Sequence, residues 1–132
     1  MAGFEDQVRR FGRSTMERID KTRRASALEL FRLIIVETPV DDGVLRNNWR
    51  TQVNAPELAA LDSSDSTGSR ALTEAASNLG TLLDTVFFTN NLPYAERIEY
   101  DGWSRFKAPQ GMVRKNVTRW DEIVAAKARE YM

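Results

Sequence analysis

Thr38-Pro39-Val40-Asp41-Asp42-Gly43-Val44-Leu45-Arg46-Asn47-Asn48-Trp49 is the stretch on which the reading of this chain turns. Pro39 has no backbone donor and its ring pushes Thr38 out of the helical region, so a helix arriving from the N-terminal side stops here. Val40-Asp41-Asp42-Gly43 has the composition of a turn, in which the two carboxylates cap local backbone donors. From Leu45 the pattern changes to a period of two: Leu45, Asn47, Trp49, Thr51 and Val53 on one side, Arg46, Asn48, Arg50 and Gln52 on the other. That alternation predicts a half-buried strand.

Upstream, residues 3–37 read as one helix. Phe4, Val8, Phe11, Thr15 and Ile19 recur at spacings of three and four and form a single stripe. Beyond Ala27 the apolar residues Leu28, Leu30, Phe31, Leu33, Ile34, Ile35 and Val36 surround the axis, so this half is expected to be buried on most sides, threading the core or sharing a flank with a neighbouring subunit. Arg9, Arg10, Arg13, Lys21, Arg23 and Arg24 fall opposite the stripe. Asp6/Arg10, Glu17/Lys21 and Asp20/Arg24 place an acid four residues before a base, which favours a self-paired, solvated face over a phosphate-binding one.

Downstream, residues 54–70 have the composition of a long mobile loop. Leu72, Ala75, Ala76, Leu79 and Leu83 suggest a short helix, which Gly80 can end. Thr85-Val86-Phe87-Phe88-Thr89 is the second strand, and Pro93 opens a short helix from Tyr94 to Tyr100. Val113, Val117, Trp120, Val124, Ala128 and Tyr131 predict a C-terminal amphipathic helix. The expected fold is α+β, with the long N-terminal helix and the C-terminal helix packed on a small, mainly antiparallel sheet. Its core is expected to contain Phe31, Ile35, Trp49, Val86, Phe88, Val117, Trp120 and Val124.

A chain of 132 residues, 42% apolar and 29% charged, is expected to form one folded domain over residues 1–132. Histidine and cysteine are both absent. Disulfides, thiolate zinc sites, Ser-His-Asp and Cys-His nucleophiles and imidazole acid/base chemistry therefore drop out. No spacing singles out a carboxylate pair, so no catalytic, metal or cofactor-binding residue is expected. No apolar run approaches the length of a membrane span, and the N-terminus lacks the pattern of a secretory signal, so the expected place of synthesis is the cytoplasm. The net charge is zero, but residues 37–100 carry 4 basic and 10 acidic groups between two basic ends. A zero total gives little self-repulsion and suits association.

A second block, Thr89-Asn90-Asn91-Leu92-Pro93-Tyr94-Ala95-Glu96-Arg97-Ile98-Glu99-Tyr100-Asp101-Gly102-Trp103, is followed by Lys107-Ala108-Pro109-Gln110-Gly111-Met112-Val113. Together with Thr38–Trp49 it resembles the tail-completion (neck) proteins of long-tailed bacteriophages. In that family T-P-V-D-T-G-x-L-R-x-x-W comes early, and T-N-N-x-P-Y-A-x-x-x-E-Y-G followed by A-P-x-G-M-V-R comes late. The two blocks cover about a third of the chain. It departs from the pattern at Asp42, where threonine is common, and at Asp101, which precedes the glycine.

The resemblance implies a non-catalytic α+β subunit that forms a ring, typically a hexamer, at the head-tail junction of the virion. Its partners would be the head connector, adaptor or stopper on one side and the tail tube or terminator on the other, with DNA passing through without sequence-specific binding. Asn90, Asn91, Tyr94, Tyr100, Trp103 and Pro109 become candidate interface residues. Glu57, Asp62 and Asp65 become candidate loop acids facing the channel or a neighbouring ring. The alternatives are a tail terminator ring, which caps the tube, and a small nucleic-acid-binding module using the basic helix.

Overall fold

The computed structural model describes residues 3–100 and 111–132. Its longest element, α1 (Phe4–Glu37), is one helix of 34 residues, about 51 Å long. Glu5 and Asp6 in its first turn complement the helix dipole. Its end is where Pro39 requires it: Thr38 is extended, with ψ at 130°.

The strand expected from Leu45 begins later. Val44–Asn47 forms a single helical turn, α2, and β1 runs over Trp49–Val53. Gly43 decides this by taking the left-handed region at φ 85°, after which the Asn47 N–H bonds the Gly43 carbonyl at 3.1 Å. Asn48 closes the turn by donating its side-chain amide to the Val44 carbonyl at 2.7 Å. The alternation is real from Trp49 onward, where Trp49 and Thr51 are buried and Arg50 and Gln52 are not.

β2 (Val86–Asn90) pairs with β1 antiparallel, from Trp49 opposite Asn90 to Val53 opposite Val86. Among the described residues the sheet has these two strands. α3 (Ser69–Ser77) lies along the other edge of β1. There Glu74 accepts the Thr51 N–H at 2.8 Å, and Asn78 donates to the Thr51 carbonyl at 3.0 Å. Side chains thus close an edge that would otherwise offer a free ladder. α4 (Ala95–Tyr100), α5 (Val113–Val117) and α6 (Trp120–Tyr131) follow. The chain is a mixed α+β protein with long N-terminal and C-terminal helices and a small antiparallel sheet.

The core is built on α1, whose Phe31, Ile34 and Ile35 are buried with Leu45, Trp49, Ala71 and Met112. Phe88 is sandwiched between two rings, parallel to Phe31 at 4.2 Å and to Trp49 at 4.7 Å between centroids. Phe88 and Val86 are half-buried against this core. Val117 and Trp120 are not core residues: 49% of Val117 and 37% of Trp120 are exposed. The expected single C-terminal helix is broken at Thr118–Arg119, where the Arg119 N–H reaches back three residues to the Asn116 carbonyl. The tightened turn rotates α6, and Ile123 becomes its buried residue while Val124 stays half-buried. Arg119 is held on the Glu37 carboxylate at 3.3 Å.

Candidate assembly surface

The first sequence block folds into a polar fastening. Trp49 donates its indole N–H to the Thr38 hydroxyl at 2.8 Å, and the Arg46 guanidinium donates to the carbonyls of Val36, Thr38 and Ser66. Asn47 donates to Ser63, while Asn48 both donates to the Leu61 carbonyl and accepts the Leu61 N–H. Arg70 completes the set, donating to the Asn47 side chain and to the Asn47 and Trp49 carbonyls, each at 2.7 Å. The segment 54–70, expected as a mobile loop, is therefore tied at Leu61, Ser63 and Ser66. Glu57 is tied as well: its carboxylate pairs with Arg50 at 3.6 Å, and its carbonyl accepts from Asn91 at 2.8 Å. Asp65 caps the start of α3, accepting the Arg70 and Thr67 N–H groups at 3.0 Å each. Asp62 is exposed.

The second block folds inward in the same way. Asn90 donates to the Leu45 carbonyl at 3.0 Å and accepts the Leu92 N–H, and with Asn91 on the Glu57 carbonyl both half-buried asparagines brace the fold. Tyr94 packs on the core, and burial, with Asp42 and Asp41 nearby, raises its phenol pKa. The buried Glu99 carboxylate accepts three successive N–H groups, from Met112 at 2.7 Å, Val113 at 2.7 Å and Arg114 at 2.8 Å, which open α5. Gly111, at φ 84°, makes the approach possible, since a Cβ there would collide with Glu99. Arg114 returns a bond to the Glu99 carbonyl and lays its guanidinium 4.8 Å from the centre of the exposed Tyr100 ring. Trp103 and Pro109 lie outside the described residues.

Glu74 and Asp65 are occupied by structure. Burial would raise the pKa of Glu74, but the Thr51 N–H, Arg50 and Arg70 outweigh it and hold Glu74 below its ordinary 4.5. The Thr67 hydroxyl, with the Arg70 N–H, draws Asp65 down to about 2. Among the described residues no group of three or more metal-ligating side chains comes together. A depressed carboxylate binds its proton more readily in the unfolded chain, so acid favours unfolding. Urea midpoints should hold above pH 4.5, fall as the pH drops below it, and level off only near pH 2. In Asp65→Asn the lower part of that fall should shrink.

What the sequence did not show is how much of α1 stands free. Among the described residues α6 covers one face of α1 as far as Ile19, where Ile19, Thr22 and Ser26 meet Trp120, Val124 and Met132 across a groove. Toward the N-terminus, Phe4–Arg18 extends for about 22 Å with its apolar stripe bare. Phe4 is 78% and Phe11 73% exposed, and Val8, Met16 and Ile19 are also exposed. Of the expected ion pairs Asp20–Arg24 forms at 3.9 Å, whereas Asp6 is taken by Arg9 at 3.8 Å and not by Arg10. Among the described residues no helix is long and apolar enough to cross a membrane. Compared with known proteins, the chain matches no family model, no curated protein and no solved structure.

Proposed function

We propose that this chain is a structural subunit of the head-to-tail junction of a long-tailed bacteriophage, a tail-completion (neck) subunit that works in a ring. The bare α1 arm carries the reading. An isolated folded subunit gains nothing from two exposed phenylalanines on a projecting helix, whereas an assembly subunit uses such a patch as an interface core. Both resembling blocks support the same reading. Each turns its polar side chains inward to brace the fold, Arg46, Asn47 and Asn48 in the first and Asn90 and Glu99 in the second. That leaves binding to exposed apolar surface and not to a reactive site.

The test is selective binding by the purified chain. Connector-bearing heads should bind it and bare tail-tube polymers should not. Binding to the tube alone would instead make it a terminator. Binding only to duplex DNA, with a steep salt dependence, would favour the basic-helix reading and overturn the structural one.

A further inference from the structure

We infer that two copies of this chain pair through their α1 arms, antiparallel about a two-fold axis beside Gly12, so that each Phe4–Ile19 stripe covers the other. The contact goes beyond the ring reading and does not depend on it.

The fold already shows how this face takes a helix. Phe4, Val8, Phe11, Thr15 and Ile19 continue at the same spacing into Thr22 and Ser26, which lie against α6. α6 runs antiparallel to α1: Arg119 before its start holds Glu37, Lys127 lies beside Glu29, and Met132 after its end shares a groove with Ile19. Beyond that groove the stripe has no cover among the described residues. A partner's arm laid antiparallel on it continues the line of α6 in the same direction. The arm's Phe4 then comes to the groove, a space of about 400 Å³ walled by Trp120, Val124 and Met132. A parallel pair would set α6 against α6 on the shared face and hold the arms apart.

Area favours the same arrangement. The exposed apolar residues of the arm, Phe4, Val8, Phe11, Met16 and Ile19, offer about 500 Å². Trp120, 37% exposed, and Met132, 56% exposed, add roughly 200 Å² at the groove. Together they come close to the ~800 Å² that each partner buries in a stable dimer, and antiparallel pairing brings both parts into one contact.

Gly12 marks the crossing point. A Cβ there would meet nothing within 4 Å, and the residue is helical, so neither packing nor backbone angle within its own chain calls for glycine. It destabilises the helix by about 1 kcal/mol relative to alanine. It lies midway along the arm and beside the stripe, where a missing side chain lets two helix axes come close.

The flanking charges agree. At about 100° per residue, Glu5 and Arg18 fall within ~80° of the centre of the stripe, whereas Asp6, Arg10, Arg13 and Glu17 fall on the far side. Glu5 is only loosely engaged by Arg9, at 3.9 Å. With the axis at Gly12, Glu5 of each arm lies within one residue's rise of the level of Arg18 of the other. Like charges then stand about 20 Å apart, roughly two Debye lengths. A parallel pair would put Glu5 against Glu5 and Arg18 against Arg18.

The absence of cysteine gives a clean test on the full chain. Gln7→Cys and Arg18→Cys place single thiols on one flank of the stripe, at levels that meet in an antiparallel pair. Mixed and treated with a short bis-maleimide, they should cross-link about tenfold more than Gln7→Cys with itself. Sedimentation equilibrium of the parent should show monomer and dimer in exchange. Phe11→Ser should weaken the dimer roughly a hundredfold, because a two-fold contact feels each substitution twice. Gly12→Leu should weaken it by a similar factor while circular dichroism shows helix content equal to the parent or higher.

Self-linking of Gln7→Cys as strong as the mixed cross-link overturns the proposal in favour of parallel pairing. A parent chain that stays monomeric at every concentration, or a Gly12→Leu dimer as tight as the parent, overturns it outright. Larger closed rings that lack the Gln7–Arg18 cross-link overturn it too and leave the ring reading standing.

Discussion

Trp49→Ala lowers the free energy of unfolding by about 4 kcal/mol, roughly a third to a half of what holds a domain of this size together. Trp49 is 4% exposed, lies face to face with Phe88, and through it joins the strands to Phe31 of α1. Truncation removes one outer ring of that stack, leaves a face of Phe88 without its partner, and strips the Thr38 hydroxyl of its indole donor at the turn where α1 ends. Trp49→Phe separates the two losses. It keeps a ring against Phe88 and forfeits the hydrogen bond, at a cost of about 1 kcal/mol plus a smaller packing loss. Urea unfolding at neutral pH, with slopes unchanged between variants, reads both values. A loss below about 1.5 kcal/mol for Trp49→Ala would mean that the ring stack does not join sheet to helix as described.

Glu99→Ala should cost about 3 kcal/mol, because it leaves the N–H groups of Met112, Val113 and Arg114 without their acceptor while Met112 remains buried. Glu99→Gln is the sharper variant. It preserves size and shape and keeps one oxygen for the N–H groups of Val113 and Arg114, which share a single carboxylate oxygen, but turns its NH2 toward the Met112 N–H, so it should lose about half as much as the alanine. Thermal unfolding gives the loss, and the amide proton shifts of those three residues report whether α5 still begins at Val113. A Gln variant as stable as the parent would show that the carboxylate is dispensable and that α5 is held by its packing on α1.

Some of this fold is legible in the sequence because the constraint is local. Pro39 removes a donor and restricts Thr38 wherever the chain goes, so the end of α1 can be read from two residues. Trp49 and Phe88 belong to runs of period two or of β-branched and aromatic type, which is what makes the two strands legible. The strand start at Leu45 misled, because alternation over Leu45, Asn47 and Trp49 cannot reveal that Gly43 adopts φ 85° and launches a helical turn. Val117 and Trp120 misled for a tertiary reason: the break at Thr118–Arg119 re-aims α6, and a stripe computed for one continuous helix is then rotated.

The fastening of residues 54–70 has no local signature. Arg70 reaches Asn47 across 23 residues, and Asn48 reaches Leu61 across 13. Bonds from side chain to distant backbone leave no period in a sequence. A run of Ser, Asp and Gly looks the same whether it is loose or tied. Asn90 and Asn91 make bonds of the same kind, to the distant carbonyls of Leu45 and Glu57.

The single helix α1 is two helices by hydrogen exchange. From Thr22 to Glu37 its amides lie under α6, α3 and the sheet, and they should open only with the whole protein. From Phe4 to Arg18 none of the other described elements covers them, Gly12 sits in the middle, and a helix of that length is marginal alone in water, so protection should fade turn by turn toward the N-terminus. Slow exchange spreading into Phe4–Arg18 would therefore mark, amide by amide, the moment at which the arm acquires a neighbour.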